Sequence, residues 1–345
     1  MAKAEGCIDV FNFVKRGREN RMNFVQTAEQ YEFIHTAVME ATLCGDTSIP
    51  ASDFRQIYGK LQTVDRKTKK SQLQVQWENL GKVSRKPRAD ECEVGKLEEN
   101  SDKNRFNNIL PFDRRRLRLM TPVYDDEFST DYINASFVSA YTVKESFMVT
   151  QMPLPNTIVD LWRMVYDYKS TSIVMLNDMN HNDMTLGQYW PDEGVMQCGP
   201  FLLETVKTDN MKNITTRTIH LTNAKGVVQI IQQFQVTCWP ADQEFPTSKS
   251  VIVDLMSMVE KWQKQTGNGP VTVHCINGIG RCGVYCASVS TCDRIKVDQM
   301  VDIFQAVKAL RANRPHMVES MAQYKYCHDV ILDYFESFDT YSNFQ

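Results

Sequence analysis

The chain has 345 residues, 42% of them apolar, and a formal net charge of −3. This length and apolar content can bury one domain of about 280 residues with an appendage. A charge so near zero names no nucleic-acid partner and no anionic membrane surface, and no apolar run reads as a transmembrane segment or a signal peptide.

The first feature along the chain is half of a repeat. Residues 8–35 align without gaps to residues 301–328, and eleven of the 28 positions are identical, among them Phe11/Phe304, Arg18/Arg311, Arg21/Arg314, Gln30/Gln323 and His35/His328. An offset of 293 residues is far too long for a solenoid. It reads as the same helical ending of two tandem domains. The segment 46–50 has the composition of a linker, and a second domain is expected over 51–340. The two helices expected within 1–45 would lack their own core and be exposed or poorly packed.

Further on, Arg66 to Lys70 and Arg114 to Arg116 are basic clusters that read as solvated surface. Ser172 to Leu176 reads as a buried strand. Val228, Ile230, Phe234, Val236 and Cys238 alternate with other residues and read as a half-buried strand. Val251, Ile252, Leu255, Val259 and Trp262 recur at helical spacing. Strands mixed with helices give an α/β class.

The decisive segment is His274-Cys275-Ile276-Asn277-Gly278-Ile279-Gly280-Arg281-Cys282-Gly283. Thr272 to His274 before it read as a strand, and Ala287 onward reads as a helix. A tight Gly-rich turn between strand and helix aims backbone N–H groups at one point beside the positive helix N-terminus. That point suits a phosphate, to which Arg281 can add a bidentate fork. The same field lowers the pKa of Cys275, and the thiolate is the nucleophile. Gly278, Gly280 and Gly283 also spell a dinucleotide fingerprint, which wants an acidic residue ending the next strand. Asp302 has the spacing, but it opens a stretch of helical periodicity. The ten cysteines show no disulfide framework and fit a reducing compartment. Cys282-x3-Cys286 lacks the second pair that zinc would need. Cys286, Cys292 and Cys327 read as small core residues.

The decapeptide resembles the phosphate-binding loop of the protein tyrosine phosphatases. Other blocks carry the same resemblance: Lys103-Asn104-Arg105-Phe106, Asp131 to Ser136, Thr150 to Thr157 with Asp160 to Arg163, and Trp239-Pro240. The Asn-Gly in the loop and the long acid loop look most like the second, membrane-distal domain of receptor-type enzymes of the kappa/mu (MAM-containing) group. The resemblance implies a twisted mixed β-sheet flanked by α-helices, with the loop at its centre. It implies a catalytic group of Cys275 as nucleophile, Arg281 as clamp and His274 beside them, and a phosphate seat lined by Ile276, Asn277, Gly278, Ile279, Gly280 and Arg281. It places Phe106 and Gln323 against the substrate. It makes residues 1–45 the end of a first phosphatase domain and Met1 not a true start.

Four departures bear on turnover. The family's acid loop reads Trp-Pro-Asp; here Ala241 stands where that Asp protonates the leaving oxygen, a loss of roughly 10²–10⁴-fold. Asp242 or Glu244 could substitute only if the loop shifts. Glu319 stands where the family, and Gln26 of the first copy, has the Gln that orients the hydrolytic water. Its carboxylate would repel a phosphoryl anion. Phe106 replaces a Tyr. Cys282 replaces a Ser or Thr hydroxyl that stabilises the thiolate, and a thiol is a weaker donor. Cys275 and Cys282 could also close a reversible disulfide.

The reading is therefore a catalytically attenuated second domain that binds phosphotyrosine proteins or peptides or regulates a first phosphatase domain of the same receptor. It would lie on the cytoplasmic side of the plasma membrane, tethered by a segment outside this chain. The alternatives are a weak phosphatase using Asp242, and a redox-sensing or scaffold pseudophosphatase. No metal or organic cofactor is implied, because the thiolate and Arg281 take a metal's roles.

Overall fold

The structure, a computed structural model, describes residues 6–123 and 130–342; Met1 lies outside them. The N-terminal helices α1 (Val10–Asn20) and α2 (Ala28–Leu43) lead to strand β1 (Ile49–Pro50). Helices α3 (Phe54–Leu61), α4 (Gln72–Val83) and the short α5 (Glu98–Ser101) follow. Strands β2 (Arg116–Arg118), β3 (Tyr132–Val138) and β4 (Phe147–Gln151) precede helix α6 (Ile158–Asp167). Then come β5 (Ser172–Met175), β6 (Val195–Cys198), β7 (Phe201–Asn210), β8 (Ile214–Asn223) and β9 (Val228–Val236). The chain closes with α7 (Val251–Thr266), β10 (Val271–Cys275), α8 (Gly280–Asp298), β11 (Met300–Val301), α9 (Ile303–Asn313) and α10 (Met321–Ser342).

Nine strands form one mixed sheet in the order β2-β3-β4-β10-β5-β9-β8-β7-β6. Strand β10 is central, pairing in parallel with β4 on one side and β5 on the other. All five of its residues are buried, as expected of a parallel strand covered on both faces. One core packs Val149, Val273 and Val174 beneath α3, α4 and α7 to α10; the other packs Met148, Ile173 and Met175 beneath α6. The α/β architecture of a twisted mixed sheet flanked by helices is the one the sequence implied. The side-chain period of two sends neighbouring residues of β10 to opposite faces. Cys275 therefore joins the α8 side, whereas His274 meets Tyr189 on the other.

Several expectations need correction. Helix α8 begins at Gly280, not near Ala287. Strand β9 buries its expected face only at Phe234 and Val236; Val228 and Ile230 are exposed. Its partner β5 starts opposite Gln232, so the earlier residues extend past the helical layer. The segment 46–50, expected to be a linker, is anchored to the domain that follows. Ile49 pairs with Val301, Thr47 donates to Asp302 at 2.8 Å, and both Thr47 and Ile49 are buried.

The repeat is a structural copy as well. Arg18 Nε and Nη2 donate to the carbonyls of Phe24 and Val25 at 3.0 and 2.8 Å; Arg311 makes the same fork to Met317 and Val318 at 3.0 and 2.9 Å. Val25 and Val318 both have φ of 60°. Tyr31 meets His35 edge-on at 4.8 Å, and Tyr324 meets His328 at 4.9 Å. Burial separates the copies: Phe304 is 2% exposed and Phe11 67%, Tyr326 6% and Phe33 70%. Helix α1 thus displays an uncovered apolar face, as expected. Helix α2 is better held: Glu40 pairs with Lys308 and Gln305, and the Leu43 carbonyl accepts from Asn79.

Candidate active site

Strand β10 ends on Cys275, and α8 starts at Gly280. Four residues make the turn, which brings the Gly278 and Cys282 amides to the sulfur. The turn requires Gly278: its φ is +70°, and a Cβ there would lie 2.6 Å from the Thr150 carbonyl carbon and oxygen. The Gly278 carbonyl accepts from Arg314 Nε at 2.8 Å. Arg314 is fully buried and also donates to Asn134 Oδ1 at 2.8 Å. Sequence reasoning missed this loop support; its identity with Arg21 across the repeat was the available signal.

Cys275 is buried, with the Cys282 thiol donating to its Sγ at 3.3 Å. Burial pushes the Cys275 thiol up, but the donors outweigh it: the Cys282 thiol, the Cys282 and Gly278 amides and the Arg281 charge bring it down to about 7. Burial pushes the Cys282 thiol well up, and the neighbouring Cys275 adds to the rise. The pair therefore divides into a more acidic thiol, Cys275, and a less acidic one, Cys282, the direction that nucleophile activation requires.

Arg281 does not reach into an open seat. It donates to the carbonyls of Leu176 and Trp239 through Nη1, at 3.1 and 3.0 Å, and to Pro240 through Nη2 at 2.6 Å. Its guanidinium also stacks over the Trp239 ring at 4.9 Å. Arg281 thereby holds the acid loop against the site, with Ala241 in the wall of a cleft of about 780 Å³. Cys275, Ile276, Asn277, Asp242, Glu244, Glu319 and Gln323 line the same cleft. Glu244 accepts from Ser320 Oγ at 2.8 Å, and Asp242 is exposed.

Asn277 fills the turn itself. Its Oδ1 accepts from the Ile279 and Gly280 amides at 3.0 and 3.3 Å and from the Cys275 thiol at 3.4 Å. Its Nδ2 donates to both oxygens of Glu319 at 2.9 Å. Burial pushes the Glu319 carboxyl up, and the bonds from Asn277 offset part of that rise. Gln323 Oε1 accepts from the Glu319 amide at 2.9 Å.

Several expected residues stand outside the cleft lining: Gly278, Ile279 and Gly280 of the turn, and also His274 and Phe106. His274 is fully buried and does not line the cleft; its ring meets the Tyr189 hydroxyl at 2.8 Å. Burial drives its pKa down to about 3, so it is a neutral framework residue. Phe106 is 39% exposed and lies outside the cleft lining. Among the described residues, no cluster of His, Cys, Asp or Glu could hold a metal ion, and no helix is long and apolar enough to cross a membrane.

The sequence profile of the protein-tyrosine phosphatases matches residues 1–40 and 100–333. Receptor-type tyrosine-protein phosphatase U of Gallus gallus is 41% identical over 345 residues, 99% of this chain and 24% of that protein. Receptor-type tyrosine-protein phosphatase alpha of Mus musculus is 36% identical over 347 residues, covering 100% of this chain and 41% of the relative. The epsilon phosphatase of Rattus norvegicus is 37% identical over 353 residues, covering 100% and 50%. The chain thus spans half or less of the length of these relatives. A buried, acidified cysteine at the end of a central strand, a glycine-dependent turn under a helix N-terminus and these similarities lead to one assignment: the chain belongs to the protein-tyrosine phosphatase family and is homologous to its receptor-type members.

Proposed function

We propose that residues 51–340 are the second, membrane-distal phosphatase domain of a kappa/mu-type receptor, and that this domain binds phosphotyrosine without turning it over. The observation that carries the reading is the division of the site. Cys275 and Arg281, to which the family resemblance gives the phosphate, both line the cleft. The groups for turnover are not: Ala241 lines the wall where the acid would stand, and Glu319 puts a carboxylate beside the loop. Glu244 is engaged by Ser320, which leaves the exposed Asp242 as the residue a weakly active enzyme would use.

The tandem arrangement is supported by the structural copy. Residues 8–35 reproduce the arginine fork and the helix cap of the α9–α10 unit, but Phe11 and Phe33 are exposed where Phe304 and Tyr326 are buried, although Val10 and Val14 are covered. A first phosphatase domain is the partner such faces fit. The receptor would place this unit on the cytoplasmic side of the plasma membrane.

Restoration tests the reading. The native chain is expected to release no phosphate from a phosphotyrosine peptide above a Cys275→Ser control. Ala241→Asp combined with Glu319→Gln is expected to gain about 10²-fold or more over that background. Native turnover abolished by Asp242→Asn would contradict it.

The sulfur pair supports a second, regulatory reading. The Cys275 thiolate attacks peroxide, breaking the O–O bond and releasing hydroxide, to give a sulfenic acid. The Cys282 sulfur, 3.3 Å away, then displaces the sulfenic oxygen as water and forms a disulfide. Mass mapping after mild peroxide is expected to yield the 275–282 cross-linked peptide; its absence, with Cys275 over-oxidised, would exclude this switch.

A further inference from the structure

Two amides of the phosphate seat are already in use. In an open loop, the amides of Ile279 and Gly280 would be orphans at the start of a helix, and an anion would satisfy them. Here the Asn277 side-chain oxygen takes both, at 3.0 and 3.3 Å, while remaining 3.4 Å from the nucleophilic sulfur. A neutral amide oxygen thus stands beside Cys275, on the donors a phosphoryl oxygen would use.

Glu319 holds that side chain in place. Both its oxygens accept from Asn277 Nδ2 at 2.9 Å. The approach is close: a Cβ on Gly280 would lie 2.1 Å from Glu319 Oε2. Glycine at 280 is therefore needed for the carboxylate to reach over the turn. Glu319 is itself fixed through its backbone amide, which donates to Gln323 at 2.9 Å. A further phosphate donor, the Arg281 guanidinium, is bound to the carbonyls of Leu176, Trp239 and Pro240.

We propose that Asn277, latched by Glu319, is a built-in occupant of the anion seat, so that a phosphate or phosphotyrosine group binds only by displacing it. This rests on the phosphate-binding reading above and adds a selectivity element to it. The incoming anion must replace the two amide bonds to Asn277 Oδ1 and turn Nδ2 away from Glu319. A side chain that binds the seat in cis competes with every ligand equally. A weak anion such as free phosphate is then excluded, while a phosphopeptide with contacts along the cleft can still displace it.

Calorimetric titration with tungstate, a phosphate-shaped anion, tests this. Asn277→Ala changes no charge and is expected to bind tungstate about tenfold more tightly than the native chain. Glu319→Ala is expected to tighten binding as well, and the double variant to gain less than the two single effects combined. Asn277→Gly serves if the alanine variant fails to fold. Unchanged or weaker binding in the Asn277 variants would overturn the proposal; tightening in Glu319→Ala alone would reduce Glu319 to a repelling charge and overturn it too. Measurable native affinity with no response at Asn277 leaves the phosphate-binding reading standing. No binding in any variant, with Arg281 intact, removes both.

Discussion

At the scale of single residues, the chemistry rests on the division of labour between two sulfurs. Cys282 donates to Cys275, and that bond stands first among the influences opposing burial. Alkylation of Cys275 by iodoacetamide is expected to rise with pH around a midpoint near 7. Cys282→Ala, which removes the donor, is expected to move that midpoint upward, and an unchanged profile would contradict the assignment. The sign for stability follows from linkage. The folded value lies below that of a free thiol, so this ionisation stabilises the fold above the free-thiol pKa, and its contribution is lost as pH falls through about 7. Cys275, Arg281 and Ala241 were legible in the sequence as candidates because residue type alone carries the proposed roles. The occupied seat was not. Asn277 was read as a lining residue and Glu319 as a repelling charge; that they bond to each other depends on side-chain directions no spacing encodes. His274 was read with the catalytic group because it adjoins Cys275, but strand alternation turns it to the opposite face of the sheet.

Among the elements, the turn between β10 and α8 is the most constrained. Gly278 combines a left-handed φ of +70° with no room for a Cβ against the Thr150 carbonyl. Gly278→Ala is expected to cost at least about 2 kcal/mol, read from the denaturant midpoint; a change within error would mean the turn can relax. Helix α8 was anticipated several residues late, because Gly280 to Gly283 reads as loop on propensity. The orphan amides of its first turn find Asn277 instead of water, and α8 packs between the sheet and α9 and α10, so tertiary burial overrides the glycines. Strand β9 was misread in the opposite direction. Its alternation is real, but half of it runs beyond the helical layer, and alternation does not say where a cover ends.

For the whole molecule, the repeat was legible in full because both copies keep the residues that shape the unit. Thr27 and Ser320 cap their helices, Gln30 and Gln323 close the same bond, and Arg18 and Arg311 hold the same loop. What the sequence did not reveal is how firmly the joint is held. The pairing of β1 with β11 and the bond from Thr47 to Asp302 anchor the segment between the two units. Asp302 also caps α9 and pairs with Arg294 at 2.9 Å, so the acidic residue at nucleotide-fingerprint spacing is wholly engaged in structure. A site that keeps its cradle and lacks its acid is the central claim. The most direct measurement titrates a phosphotyrosine peptide into the chain while monitoring phosphate release in the same sample. The account predicts saturable binding, abolished by Arg281→Ala, with no release above the Cys275→Ser control. Phosphate release that depends on Cys275, or binding indifferent to Arg281, would contradict it.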